Sequence, residues 1–114
     1  MNLQQVMSMS KESLRIEIAK LQGWSHVKFL PVSETVMGIR EGETLPSIVP
    51  DYPNSIQASY ELEGMIPEDK QEKYMDNLWD VIRGDGSFLV GRWRFYRSTP
   101  HQKSMAFYLT MEVQ

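Results

Sequence analysis

The stretch from Ser25 to Pro53 constrains this chain most, because it carries four prolines (Pro31, Pro46, Pro50 and Pro53) and two glycines. Each proline removes a backbone donor and fixes φ, so no long helix can pass through. Two short apolar pieces, residues 27–30 and 36–39, have the length of strands, and the rest of residues 25–53 reads as a long surface loop. Helical patterns lie on both sides. Such an order of helical patterns and short strands allows an α+β chain.

The first helix is predicted from Ser10, whose hydroxyl can accept an orphan backbone N–H, with Glu12 in the favourable first turn. Leu14, Ile18 and Leu21 recur at i, i+4 and i+7, which implies one buried face. Gly23 suits the left-handed residue that ends such a helix. Trp24, just beyond it, has two readings, a core anchor or an exposed platform on which a ligand stacks. Asn54 or Ser55 caps a second helix that Pro67 interrupts. Pro67 opens a third, with Glu68 and Asp69 complementing its dipole. There Tyr74, Met75, Leu78, Trp79, Val81 and Ile82 form an apolar face, and Gly84 and Gly86 flank the closing turn. Residues 88–97 alternate with period two and read as a strand, with Leu89, Trp93 and Phe95 on one face and Arg92, Arg94 and Tyr96 on the other. Thr99 and Pro100 form a helix-start signal, yet Met105, Phe107, Leu109, Met111 and Val113 also alternate as a returning strand would.

At 114 residues the expectation is a single domain, 1–114, with residues 1–9 weakly ordered. The absence of cysteine suits a reducing cytoplasm. The first ten residues lack the basic start and apolar core of a secretion signal, and no run approaches the roughly 18 apolar residues of a spanning helix. No membrane association is expected. The net charge of −3 hides an asymmetry: residues 1–80 carry seven Lys/Arg against thirteen Asp/Glu, residues 81–114 five against two. So mild a field disfavours duplex DNA as a partner.

Catalytic chemistry is sparse. His26 and His101 are far apart with no cysteine between them, so no metal-ligand spacing and no cofactor motif is present. Glu72, Asp76 and Asp80 lie four apart on one helix face, as paired catalytic carboxylates can, although a solvated face has the same pattern. The better candidate for ligand or partner binding is Arg92, Arg94 and Arg97 around Trp93 and Tyr96, because guanidinium groups take phosphate bidentately and aromatic rings stack on bases. A solvated strand face is the plain alternative. Asp51 and Tyr52 pose a similar choice, a loop locked by an Asx turn or the wall of a cleft.

Two strings, residues 14–24 and 49–58, carry a resemblance through Ile18, Ala19, Gly23, Trp24, Pro50, Asp51, Tyr52, Ala58 and, just beyond the second, Glu61. In this order they resemble the phage ABA sandwich domain, a family of small bacteriophage and prophage proteins. Where that family often reads Asp-Leu-Asn-Ala, this chain has Ser55, Ile56, Gln57 and Ala58. The resemblance implies a small three-layer α/β/α sandwich with helices flanking a short, mostly antiparallel sheet, and it tips the last segment to helix. It also implies the cytoplasm of an infected bacterial host. The leading expectation is therefore a non-enzymatic accessory protein that binds and blocks a host protein, in counter-defence or host take-over. A second is a sponge that sequesters a nucleotide-type signalling molecule through Arg92, Arg94 and Arg97, possible as a homo-oligomer with pockets between subunits. A third is a small hydrolase using the acidic helix and His101. A blocker should expose an apolar patch bearing Met and Tyr, a sponge a preformed basic pocket.

Overall fold

In the computed structural model, which describes residues 1–84 and 98–112, the chain runs α1 (Leu3–Met7), α2 (Lys11–Leu21), β1 (Ser25–Leu30), β2 (Thr35–Ile39), β3 (Ser47–Ile48), α3 (Ile56–Gly64), a 3-10 turn (Glu68–Lys70), α4 (Gln71–Gly84) and α5 (Pro100–Met111). This is an α+β fold, as the order of sequence patterns allows. The strand expected over residues 88–97, with Arg92, Trp93, Arg94, Tyr96 and Arg97, lies outside the described residues.

Helix ends follow local chemistry. The Ser10 side chain accepts from the Ser13 N–H, Ser55 from Ala58 and Thr99 from Gln102, each satisfying a donor that the helix leaves orphaned. Gly23 closes α2 at φ +88°, a conformation that would strain any side chain. The segment from Thr99 is a helix, not a returning strand. Its side chains from Ser104 to Thr110 are all buried, so α5 is enclosed on every side.

The N-terminus departs from expectation. Residues 1–9, expected to be weakly ordered, contain α1, which a reciprocal cap opens: Asn2 Oδ1 accepts from Gln5 N and Gln5 Oε1 from Asn2 N, both at 2.9 Å. Val6 is fully buried, and so little room separates Gly84 from Met7 that a Cβ there would stand 2.6 Å from the Met7 sulfur. So short a helix owes its order to tertiary packing, which no five-residue periodicity announces.

Residues 25–53 also hold more structure than a long loop. They form an antiparallel sheet in the order β1-β2-β3, with Phe29 opposite Val36 and Met37 opposite both Lys28 and Ile48. One extra residue between Ser25 and Lys28 makes a bulge in β1, where His26 adopts φ +52°. The prolines bound these strands rather than forbid them: Pro31 follows β1, Pro46 precedes β3 and Pro50 comes just after it.

Packing centres on α5, against which α4, α3 and α2 all lie, while α2 also carries the sheet. Leu21, expected on the buried face of α2, is exposed, as is Met75 on α4. Arg15 is buried instead. Its Nε donates to the carbonyls of Val49 and Pro50, both at 3.1 Å, and its Nη2 donates to Val49 as well. A buried guanidinium is tolerable only with such partners. Here it fastens the segment after β3 onto α2, which places Pro50 and Tyr52.

Candidate functional site

Four parts of the fold meet around a cavity of about 390 Å³. The capped end of α2 supplies Gln22 and Trp24, the exit of β2 supplies Arg40, the Arg15-held segment supplies Pro50 and Tyr52, and α3 with its cap supplies Glu61 and Met65. That volume lies within the range of pockets that enclose small ligands or inserted side chains.

Trp24 is buried, and the Arg40 guanidinium carbon stands 5.1 Å from its ring centroid, a cation–π contact. On the benzo side the backbone of β2 comes so close that a Cβ on Gly38 would sit 3.2 Å from Trp24 Cε3 and 3.0 Å from Val27 Cγ2. Of the two readings of Trp24, the geometry fits the core anchor: the indole forms wall, with Arg40 over its ring.

Tyr52 is buried beside it, and its hydroxyl donates to Gln22 Oε1 at 3.0 Å. Burial pushes the Tyr52 pKa up to about 12, against the opposing pull of Arg40 and Arg15. The hydroxyl is therefore a neutral, committed donor at physiological pH. Gln22 Nε2 lies 2.9 Å from Met65 Sδ, a weak acceptor. Glu61 Oε1 accepts a long bond, 3.4 Å, from Gln57.

Asp51 is outside this cavity. Its carboxylate accepts from Asn54 Nδ2 at 3.1 and 3.2 Å, and its carbonyl accepts from the Asn54 and Ser55 N–H groups, so it shapes the turn into α3. It lines a smaller hollow with Lys11, Arg15 and Glu34. Glu72, Asp76 and Asp80 face solvent from α4, and no group of three or more His, Cys, Asp or Glu that could hold a metal ion occurs among the described residues.

Thus Trp24 and Tyr52, both singled out from sequence, share one cavity, while Arg92, Trp93, Arg94, Tyr96 and Arg97 lie outside the described residues. Gln22, Arg40 and Met65 carry no signal of their own. The usable hint was the pair of strings behind the resemblance, since Trp24, Pro50, Tyr52 and Glu61 all line the cavity. On α3 and its cap, Ile56, Tyr60 and the lining residue Met65 are 77%, 71% and 53% exposed. Compared with known proteins, the chain matches no family model, no curated protein and no solved structure.

Proposed function

We propose that this chain is a non-enzymatic accessory protein of phage type that binds and blocks a host protein in the bacterial cytoplasm, with α3 and the adjoining cavity as its contact face. One observation carries the reading: Ile56, Tyr60 and Met65 stand out into solvent from one short helix and its cap, next to a cavity walled by Trp24, Pro50 and Tyr52. Large apolar side chains left in water on one element mark contact sites, and Tyr and Met are favoured at interface centres. Among the described residues the cavity offers one cation and one anion, Arg40 and Glu61, where a polyanionic nucleotide would call for a cluster of cations. Tyr52, neutral and committed to Gln22, suits a wall better than an acid–base role.

Native mass spectrometry of the tagged chain, drawn gently from lysate of phage-infected bacteria, tests this. The wild type is expected to carry a stoichiometric protein partner that Tyr60→Ser plus Met65→Ser releases while remaining folded. A small added mass retained by the double variant, or turnover by the chain alone that one polar substitution abolishes, would overturn the reading.

A further inference from the structure

Resting on that reading, we propose that the cavity captures the C-terminus of the partner polypeptide, its carboxylate on Arg40 and Gln22 and its last side chain against Pro50, Tyr52 and Met65. Three requirements of a terminal residue are met in one place. The first is a cation. Arg40, exposed, lies over Trp24 and makes no ion pair among the described residues, so its planar fork of donors is available for a carboxylate. Gln22 adds a neutral donor: Tyr52 orients its carboxamide, and among the described residues its Nε2 meets only a thioether, a partner that a carboxylate oxygen would improve on.

The second requirement is an apolar recess for the side chain, which Pro50, Tyr52 and Met65 wall. The third is an acceptor for the terminal residue's own N–H, and the Glu61 carboxylate, held among the described residues only by the long bond from Gln57, stands on the α3 side of the cavity. A polyphosphate would call for more cations than the lining holds, whereas a single carboxylate needs no more than Arg40. Tyr60, next to Glu61 on the same helix, extends the surface for the residues upstream of the terminus. Arg15 and Gly38 hold the walls before anything binds, which lowers the ordering cost of capture. Capture of a terminal carboxylate by oriented donors is a recurring mode of peptide recognition.

The test is a titration of ¹⁵N-labelled protein with N-acetyl-Gly-Gly-Leu, with its C-terminal amide, with N-acetyl-glutamate N-methylamide and with free leucine, following the Trp24 indole and Gln22 side-chain resonances. The free-acid tripeptide should shift both, with Kd on the order of a millimolar for so small a probe, and the amide should bind about tenfold or more weakly. Arg40→Gln should abolish the shifts. Because that change also removes the contact with Trp24, Arg40→Lys serves as the second variant: it keeps the charge, loses the fork and should weaken binding severalfold at an unchanged unliganded Tm. Equal binding of acid and amide, of the glutamate side chain, or of free leucine would overturn the proposal, as would binding indifferent to Arg40. If the tripeptide fails while host-protein capture persists and depends on Tyr60 and Met65, terminal recognition falls and the blocking role stands. If the tripeptide binds but no host protein is captured, the blocking role falls and the carboxylate site stands.

Discussion

The packing around α5 and the wall of the cavity both bury a tyrosine hydroxyl, and they satisfy it differently. In the helical core Tyr74 donates to Glu63 Oε2 at 2.7 Å, and the other oxygen of that carboxylate stands 3.3 Å from Lys103 Nζ, so one acid ties α3 to α4 and α5. Burial and the neighbouring Glu63 hold the Tyr74 pKa far above its ordinary value. Nearby, Asn77 donates to Thr110 Oγ1, which donates to the Ala106 carbonyl, another chain that ends satisfied. At the cavity Tyr52 meets a neutral amide instead, and the groups around it are under-used: Gln22 faces sulfur and Arg40 faces an aromatic ring. Around Tyr74 and Asn77 the core's polar groups meet one another, whereas at the cavity wall an amide meets sulfur and a guanidinium meets a ring.

The largest effect expected from that contrast is in the core. Phe107→Ala, at a fully buried position on α5, should lower stability by about 3–5 kcal/mol. Urea denaturation should show a lower midpoint with the slope unchanged, and the surviving folded protein should keep its tripeptide affinity. Arg15→Met tests the joint between the two regions. Removing the guanidinium leaves the buried Val49 carbonyl without the donor it has now, a cost of about 2 kcal/mol, and should also shift the Trp24 indole resonance, because Arg15 positions Pro50 and Tyr52. Lost stability with an unmoved indole would show that the cavity is held by something else. The two tyrosines give the sharpest comparison. Tyr74→Phe should cost about 2 kcal/mol, as befits a hydrogen bond to a charged group, and Tyr52→Phe about 1 kcal/mol, as befits a neutral one. The reverse order in chemical denaturation would break the distinction drawn between core and wall.

What was legible in the sequence follows the same division. Helix ends were readable because capping is local: Ser10, Gly23, Ser55 and the Thr99-Pro100 pair each act within a few residues of themselves. The amphipathic α4 was readable from Tyr74, Leu78, Val81 and Ile82, since one face is buried and the other solvated. The closing helix was ambiguous for the opposite reason. Enclosed on all sides, α5 has no polar face to set a period, so its apolar positions alternated as well as they turned. Leu21 misled because it matches the stripe of α2 yet lies at the helix's last residue, beyond the packing. The cavity was the least legible part. Gln22, Arg40 and Met65 come from three different segments, and only the fold makes them neighbours of Trp24 and Tyr52.

The smallest effect at neutral pH belongs to titration of Tyr52, which should be silent there and appear only in alkali. An unfolded tyrosine ionises near pH 10, whereas Tyr52 in the fold does so at about 12, because burial disfavours the phenolate more than Arg40 and Arg15 favour it. A folded pKa raised above the unfolded one means that the native state holds its proton longer. The stabilisation is complete below pH 10 and is lost as pH climbs from there through about 12. Melting temperatures taken from pH 8 to 12 should therefore run parallel for wild type and Tyr52→Phe up to about pH 10 and converge above it. Tyr74, pushed higher still by burial and by Glu63, ionises later, and Tyr108, also raised by burial, is common to both proteins. Curves that stay parallel to pH 12 would mean that the Tyr52 hydroxyl is open to solvent. The Gln22 carboxamide would then lack the fixed orientation on which capture of a carboxylate depends.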